Sequence, residues 1–212
     1  MSLKGIFITF EGGEGCGKST LLEQLVTRLR DQGHKVILAR EPGGTDVGEQ
    51  IRHILQYSRH SVSMKPETEL LLFCASRAQL VREVIRPAID RGEIVICDRF
   101  LDSTTVYQGV GRKLDPQQVA QINLFAIDDC LPDLTLIIDL DPRIGLERVR
   151  GRELFDRMEN QAIDFYERVR QGYLELAKRE PGRVKVVDGS QSIETVGQRV
   201  WQLVGDVLRR SS

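Results

Sequence analysis

Apolar and polar positions alternate along the chain in a way that predicts short strands separated by amphipathic helices. Five short apolar runs, rich in β-branched residues, have the length of strands: 5–10, 35–39, 94–97, 134–139 and 184–187. Segments with apolar residues at helical spacing lie between and after them: 17–32, 46–57, 66–90, 115–130, 142–151, 160–179 and 192–210. This order predicts an α/β fold in which a five-stranded parallel sheet carries helices on both faces. The nearly continuous apolar character of the runs is typical of strands buried on both sides.

The turn between the first strand and the first helix fits the phosphate-loop pattern G-x-x-x-x-G-K-[ST]. Its glycines let the backbone fold tightly, so that several N–H groups face phosphate oxygens. Lys18 is predicted to reach the β- and γ-phosphates, and the Ser19 hydroxyl to hold Mg²⁺. An ordinary glycine turn is the alternative, but the strand before it and the helix after it favour a phosphate loop. The predicted ATP site consists of Gly12, Gly13, Glu14, Gly15, Cys16, Gly17, Lys18, Ser19 and Thr20.

A second site is indicated where the apolar run 94–97 ends in Asp98 and Arg99. A carboxylate at the end of a buried strand is the usual partner of a phosphate loop, where it lies near Mg²⁺ or its water shell. Ser19 and Asp98 are therefore the predicted metal-binding residues. Arg99 is expected to point into the same crevice beyond the carboxyl ends of the strands. An ion pair on the surface is the alternative, and the phosphate loop favours the functional interpretation.

Composition and charge narrow the class of protein. A chain of 212 residues predicts a single domain, and 30 Lys and Arg against 31 Asp and Glu leave a net charge of −1. That balance argues against a general partner of nucleic acid polymers or of membrane surfaces. No apolar run approaches the ~20 residues needed to span a bilayer, and the N-terminal run is too short for a signal peptide. The four cysteines are well separated and form no C-x-x-C pair: Cys16, Cys74, Cys97 and Cys130. They suggest reduced thiols, so we expect a cytoplasmic enzyme.

The arginine distribution indicates which kind of phosphate-loop protein this is. The base-reading N-K-x-D motif of GTPases is missing from the sequence, and no D-x-x-G follows the strand at 94–97. Four arginines instead lie beside predicted loops: Arg40, Arg77, Arg99 and Arg112. A separate group consists of Arg148, Arg150 and Arg152. An acceptor phosphate needs its own cationic clamp, because two polyanions must be brought into line. The pattern therefore favours a small nucleotide kinase over a plain ATPase.

Several further motifs carry a resemblance to one family across nearly the whole chain. They are Phe10-Glu11-Gly12 through Ser19-Thr20, Arg40-Glu41-Pro42-Gly43-Gly44-Thr45, Leu72-Phe73-Cys74-Ala75-Ser76-Arg77, Asp98-Arg99-Phe100, Tyr107-Gln108-Gly109 with Arg112, and Pro132-Asp133-Leu134-Thr135. With them the chain resembles the bacterial thymidylate kinases, phosphate-loop kinases that phosphorylate dTMP to dTDP. The R-E-P-G-G-T string and the D-R…Y-Q-G combination are much more specific than the phosphate loop. They separate this family from adenylate, guanylate and cytidylate kinases.

The resemblance also implies roles in the acceptor pocket. It implies that Phe73 stacks on the thymine ring, although periodicity alone would place Phe73 in the core. Arg77, one helical turn further on, would then bind the base edge. Glu14 would face the sugar and its 3′-hydroxyl, Tyr107 would crowd the 2′ position, and Arg99 would clamp the acceptor phosphate. The implied dTMP-binding set is Glu14, Pro42, Phe73, Arg77, Arg99, Thr104, Tyr107 and Gln108.

The charged segment 148–160 is the predicted mobile lid. Arginines that fold over a transferring phosphoryl group can stabilise its charge, and the loop positions Gly13 to Cys16 carry no basic residue for this task. A solvated helix face is the alternative interpretation. The predicted catalytic residues are Lys18, Asp98, Arg99, Arg150 and Arg152. Phe100 departs from relatives that often carry Tyr or His at this position, so a hydroxyl or imidazole is missing here.

The resemblance predicts ATP and dTMP as substrates, Mg²⁺ as the cofactor and a homodimer as the assembly. The apolar helix at 66–90 is one candidate dimer face, although core burial would produce the same pattern. Two other functions stay open. One is a different nucleotide or deoxynucleoside kinase, and the other is a nucleotide-binding regulatory module that hydrolyses ATP slowly.

Overall fold

A single parallel sheet organises the protein, whose computed structural model describes residues 5–57, 63–150 and 161–211. The strands are β1 Ile6–Glu11, β2 Val36–Arg40, β3 Ile94–Asp98, β4 Leu134–Asp139 and β5 Val184–Asp188. Their order across the sheet is β2-β3-β1-β4-β5, and each neighbouring pair is parallel. The predicted five-stranded parallel sheet is therefore confirmed.

Helices connect the strands and cover the sheet. The predicted helix 66–90 is one continuous rod, in which the π-helical segment Val81–Ile85 joins two α-helices. The predicted helix 142–151 ends at Val149, and the one predicted from 160 begins at Ile163. The helices are α1 Lys18–Asp31, α2 Asp46–Gln56, α3 Pro66–Leu80, α4 Arg86–Asp90, α5 Leu101–Thr104, α6 Pro116–Ile127, α7 Pro142–Val149, α8 Ile163–Arg179 and α9 Ile193–Ser211. Within the described ranges, no helix is both long and apolar enough to cross a bilayer.

Both faces of the sheet are buried, because side chains along each strand alternate between two cores. Ile6, Ile8 and Phe10 of β1 pack with residues of α1 and α9. Phe7 points to the opposite face, where it packs with the end of α3 and with α4. On that same face, residues of α8 cover β4 and β5. This double burial explains why the strands read as nearly continuous apolar runs.

One helical stretch was not predicted from the sequence. α5 and the π-helical segment Thr105–Gly111 form a helical turn and its continuation directly after β3. Threonine, valine and glycine are poor helix formers, so the local propensity of this segment is low. Tertiary contacts offset that low propensity: a Cβ on Gly111 would lie 2.6 Å from the ring of Phe165 in α8. Only glycine permits such close packing.

The topology brings several functional segments to one edge of the sheet. β1 lies in the middle of the strand order and is followed by the loop that enters α1. β3 ends beside it at Asp98, and the Glu41 N–H donates to the Asp98 carbonyl oxygen at 2.9 Å. In open α/β sheets, ligands bind at the carboxyl ends of the strands where the strand order reverses. The phosphate loop of this chain lies at that position.

Candidate active site

A cleft of about 450 Å³ opens at the carboxyl ends of the central strands. It brings together the phosphate loop, the end of β3, the helical stretch after it and part of α3. Most of the predicted site residues line this single cleft. Its lining residues are Glu14, Gly15, Cys16, Gly17, Lys18, Ser19, Thr20, Arg40, Glu41, Pro42, Arg52, Gln56, Phe73, Asp98, Arg99, Ser103, Thr104, Tyr107, Gln108 and Arg148.

The phosphate loop depends on glycines for its shape. Gly12, Gly15 and Gly17 have φ angles of 134°, 66° and 90°, in the range that side chains rarely adopt. Gly15 also touches α7: a Cβ there would lie 2.1 Å from the carbonyl oxygen of Gly145. A Cβ on Gly145 would lie equally close, 2.1 Å, to the carbonyl oxygen of Glu14. The loop and α7 are thus in backbone contact, which requires glycine on both sides.

Lys18 lies folded back onto the loop that precedes it. Its Nζ donates to the carbonyl oxygens of Gly12 at 3.2 Å and Gly13 at 2.8 Å, and it lies 3.6 Å from the Cys16 Sγ. The residue is buried but still lines the cleft. The ammonium group is therefore held where a phosphate in the loop would meet it. Gly12 and Gly13 contribute to the site through these carbonyl groups.

The predicted metal ligands also meet at the cleft. Asp98 Oδ1 is buried and accepts no hydrogen bond from the described residues, so it is available to a cation or its water. Ser19 is exposed at the start of α1, and both residues line the cleft. Among the described residues, no three His, Cys, Asp or Glu side chains form a ready-made metal cage. Proteins usually bind Mg²⁺ through one or two carboxylates together with phosphates and water, and Asp98 offers one such carboxylate at the cleft.

Arg99 lines the cleft and contacts both the phosphate loop and the helical stretch after β3. Its Nη2 donates to Glu14 Oε1 at 2.5 Å, and its Nη1 donates to Ser103 Oγ at 3.3 Å. Its guanidinium lies 5.0 Å from the Tyr107 ring centroid, a cation–π contact. Burial raises the pKa of the Tyr107 hydroxyl well above its usual range, so it donates to Glu14 Oε1 at 3.3 Å. Glu14, the acidic residue in the phosphate loop that would repel ATP, is thus paired with Arg99.

A second carboxylate, Glu11, lies fully buried directly behind this cluster. It accepts hydrogen bonds from the N–H groups of Phe100 and Ser103, the Ser103 hydroxyl and the Tyr173 hydroxyl. Burial, aided by the negative charge of Asp102, raises the pKa of Glu11 to about 7. Sequence reasoning did not single out Glu11. The signal was available, because a charged residue ended an apolar strand there as Asp98 does in β3.

The far end of the cleft contains the predicted base-binding residues. Phe73 is half-buried and lines the cleft together with Pro42, Thr104 and Gln108. Gln108 is fixed from behind, since its side-chain amide donates to the buried carboxylate of Glu69 at 2.7 Å. These predicted residues are therefore brought together. Phe100, in contrast, lies in the core, where its ring packs edge-on against Phe7.

Arg77 is placed differently from the other predicted pocket residues. It is only 1% exposed and is not among the residues that line the cleft. Its Nε and Nη2 donate to Glu41 Oε2 at 2.9 and 2.6 Å, and its Nη1 donates to Asn123 Oδ1 at 2.8 Å. Burial raises the pKa of Glu41 to about 7, although the positive charge of Arg77 opposes this rise. Arg77 is thus fixed in the interior by Glu41 and Asn123, with a longer contact of 3.8 Å from its Nη1 to the Cys74 Sγ.

The arginines of the predicted lid are only partly described. Arg148 lines the cleft, and its Nη1 donates to the Gly15 carbonyl oxygen at 3.3 Å. Arg150 is exposed at the end of α7 and does not line the cleft. Arg152 and the rest of the predicted lid up to 160 lie outside the described residues.

Two lining residues of α2 were also missed from the sequence. Arg52 donates from Nη1 to the Pro42 carbonyl oxygen at 2.9 Å, and Gln56 lies one turn further along the helix. Both fall in an amphipathic helix where charged and polar residues are common. Nothing in their spacing distinguished them from a solvated face, so they could not be identified without the fold.

The fold is that of a phosphate-loop nucleotide kinase. Its central strand β1 leads into the glycine loop with Lys18, and the neighbouring strand β3 ends in Asp98. The chain belongs to the thymidylate kinase family, whose sequence profile matches residues 10–200. The resemblance seen in the motifs is thereby confirmed, and the chain is an enzyme of the kinase class.

Curated relatives match over nearly the full length of both chains. The thymidylate kinase of Syntrophotalea carbinolica is 45% identical over 208 residues, which are 95% of this chain and 96% of that one. The thymidylate kinase of Pseudomonas syringae pv. tomato is 47% identical over 206 residues, or 97% and 98% of the two chains. The crystal structure of thymidylate kinase from Ehrlichia chaffeensis superposes with a TM-score of 0.79 at 33% identity. It covers 95% of this chain and 99% of its own.

Proposed function

We propose that this enzyme transfers the γ-phosphoryl group of ATP to the phosphate of dTMP and releases dTDP and ADP. One observation carries the proposal: a single cleft holds both a phosphate loop and a second cationic group, Arg99, which pairs with Glu14 of that loop and lies against the Tyr107 ring. An enzyme that only hydrolyses ATP has no use for this second cationic group. A kinase needs it to hold an acceptor in line with the donor.

The donor side is assigned to the phosphate loop. Lys18 would exchange its loop carbonyl contacts for the donor phosphates, which carry more negative charge. Ser19 and Asp98 are the residues that would hold Mg²⁺. When bound, Mg²⁺ neutralises charge on the donor phosphates. The N-terminal end of α1 adds its own positive electrostatic potential to the site.

The acceptor side is assigned to residues from three elements of the fold. Phe73 would stack on the thymine ring, and Arg77, one turn along α3, would bind the base edge. One of the five N–H groups of Arg77 lies outside its contacts with Glu41, Asn123 and Cys74, which supports that role. Thr104 and Gln108 would close the pocket around the base, and Pro42 would shape it from the opposite wall.

Catalysis would follow from positioning and charge stabilisation, without a covalent intermediate. The acceptor phosphate oxygen would attack the γ-phosphorus directly, while Arg99 neutralises charge between the two nucleotides. Arg148, which already contacts the phosphate loop, joins Arg150 and Arg152 as a candidate for stabilising the transferring group. Closure of a lid over the site would exclude water and limit wasteful hydrolysis.

An acceptor panel tests this function. ADP release from Mg²⁺-ATP is measured with dTMP, dUMP, AMP, GMP, CMP, UMP and thymidine. We expect strong preference for dTMP. Preference for another monophosphate or for thymidine would point to a different nucleotide or nucleoside kinase. ADP release independent of every acceptor would instead indicate an ATPase or a regulatory module.

Tyr107 is the predicted gate against ribonucleotides. Its buried ring packs against Phe165 and Tyr173, and its hydroxyl reaches Glu14, so it forms a fixed wall beside the proposed sugar. We expect Tyr107→Ala to raise kcat/KM for ribo-TMP relative to dTMP by about 10-fold or more, because removing the ring opens space for a 2′-hydroxyl. Tyr107→Phe keeps the ring and should keep the discrimination. Unchanged rejection of ribo-TMP by a folded Tyr107→Ala variant would contradict this role.

We also propose that two copies associate through the face formed by α2, α3 and α6. These helices pack side by side, with α3 between the other two. Together they carry five of the exposed large apolar side chains on the described part of the chain: Val47, Ile54, Leu71, Leu124 and Phe125. Tyr57, directly after α2, adds a sixth. Such a concentration is typical of a protein–protein contact, and the same face on a second copy supplies a matching apolar surface.

Phe125 is the strongest candidate at this face, since its side chain is 79% exposed. Phe125→Glu should convert a dimer to a monomer, because two copies would each bury a charge in an apolar contact. Light scattering after size exclusion reports the mass directly. Val186→Glu, at a partly exposed apolar position on edge strand β5, is the matched control and should leave the mass unchanged. A monomeric wild type would contradict the dimer proposal.

A further inference from the structure

Glu11 organises the chain directly after the proposed acceptor clamp. Its Oε1 accepts from the N–H of Phe100 at 2.8 Å and from the N–H of Ser103 at 3.3 Å. Its Oε2 accepts from the Ser103 hydroxyl at 2.5 Å and from the Tyr173 hydroxyl at 2.8 Å. The carboxylate therefore fixes both the backbone and the side chain of Ser103. It does so across 92 positions of sequence.

Ser103 connects Glu11 to Arg99 through hydrogen bonds to both residues. The Ser103 hydroxyl donates to Glu11, so its oxygen can accept hydrogen bonds from other groups. That oxygen accepts from Arg99 Nη1 at 3.3 Å and lies 3.0 Å from the Tyr173 hydroxyl oxygen. The other terminal nitrogen of Arg99 donates to Glu14. Each terminal nitrogen of the guanidinium thus has its own acceptor, Glu14 for Nη2 and Ser103 for Nη1. Ser103 is in turn bonded to the fully buried Glu11.

The backbone of Arg99 is held as firmly as its side chain. Arg99 has a φ angle of 65°, a left-handed conformation that residues other than glycine adopt at a cost. The Arg99 N–H donates to the Phe10 carbonyl oxygen at 2.9 Å, and the next N–H, of Phe100, donates to Glu11. Two consecutive residues of β1 therefore hold the backbone on either side of this unfavourable conformation.

We propose that Glu11 and Ser103 are positioning residues that preorganise Arg99 for the acceptor phosphate. The inference rests on the proposed function, in which Arg99 clamps that phosphate. A flexible arginine must be ordered before it can neutralise charge in a transition state, and a site that orders it in advance lowers the barrier. Glu11 supplies that order from outside the cleft lining, through Ser103, which lines the cleft and contacts Arg99.

A purely structural role for Glu11 makes a different prediction. The carboxylate caps the start of α5, so removing it or its partners would lower stability in any case. Positioning predicts a loss of kcat that depends on Arg99. A structural role predicts a loss of stability that leaves kcat per folded molecule unchanged.

The first test compares three substitutions by steady-state kinetics and thermal unfolding. Ser103→Ala should lower kcat by about 10–100-fold and change KM for ATP less than about twofold. Ser103→Thr keeps the hydroxyl and should recover most of kcat. Thr9→Val is the comparison variant, since it removes a buried hydroxyl contact of β1 to Thr135, whose other side-chain partners are Asp102 and Arg183 and not Arg99. It should lower the melting temperature without lowering kcat.

A double-mutant cycle then asks whether Ser103 acts through Arg99. In an Arg99→Lys background, Ser103→Ala should lower kcat less than about twofold further, because its target is gone. Wild-type kcat in folded Ser103→Ala would overturn the inference. An equal loss of kcat in both backgrounds would overturn it as well. Absence of dTMP-dependent turnover in the wild type would instead contradict the proposed function.

A spectroscopic readout tests the inference even if the wild type shows no dTMP-dependent turnover. In protein labelled with ¹⁵N-arginine, the Arg99 side-chain signals, assigned from the Arg99→Lys variant, report rotation of its guanidinium group. Ser103→Ala and Glu11→Gln should both speed that rotation or shift the signals, and Thr9→Val should leave them in place. Unchanged Arg99 signals in both test variants would overturn the inference without reference to activity.

Discussion

Arg99→Ala is expected to lower kcat/KM for dTMP by about 10³–10⁵-fold, the range found for arginines that stabilise phosphoryl transfer. Arg99 lies between the phosphate loop and the acceptor pocket, where charge must be neutralised while two anions approach. Steady-state kinetics with dTMP varied at saturating Mg²⁺-ATP measures this loss. KM for ATP should change much less, because the donor contacts lie in the phosphate loop.

Two comparison variants make the Arg99 result specific. Arg99→Lys should recover only part of the loss, because a point charge cannot bind Glu14 and Ser103 through two separate nitrogens. Arg143→Ala removes an exposed arginine paired with Glu167 on the surface, and its kinetics should match those of the wild type. An Arg99→Ala variant with less than a 10-fold loss would contradict the clamp assignment.

Lys18→Ala is expected to lower kcat by at least ~10²–10³-fold, because the phosphate loop loses its own side-chain cation, which is predicted to reach the β- and γ-phosphates. The fold should survive. Loss of the contacts to Gly12 and Gly13 leaves buried carbonyl groups with fewer donors, which costs about 1 kcal/mol. For a chain of this size, that corresponds to roughly 2–4 °C in Tm.

The Lys18 variant is judged by activity and unfolding together. Lys178→Ala is its control, because Lys178 is an exposed lysine paired with Glu175. That control should be indistinguishable from the wild type in kcat. Near-normal turnover in a folded Lys18→Ala variant would contradict the phosphate-loop assignment, even though the sequence pattern would remain.

The strands and the phosphate loop were predictable because each depends on local sequence. A strand buried on both faces must be apolar nearly throughout, so its position can be found without knowing its neighbours. The loop likewise requires glycines at fixed spacing before Lys18. The helical stretch after β3 was not predictable on the same grounds. Its low local propensity is offset by Glu11 and by packing on α8, neither of which is near it in sequence.

The acceptor site shows the same limit at the level of single residues. Phe73 reads as a core residue from periodicity, and only the resemblance to a family distinguished it. Arg77 was expected to bind the base edge, yet it does not line the cleft. The buried Glu41 carboxylate and the buried Asn123 amide hold it in the interior instead. Ser103 carries no recognisable motif at all. Its position between Glu11 and Arg99 exists only once β1 and β3 pair.

The central claim is that one cleft joins the γ-phosphate of ATP to the phosphate of dTMP. Transfer of label from [γ-³²P]ATP tests it most directly, with products separated by chromatography. The account predicts label in dTDP, equal in amount to the ADP formed and dependent on dTMP. Label that appears as inorganic phosphate at the same rate with and without dTMP would contradict it.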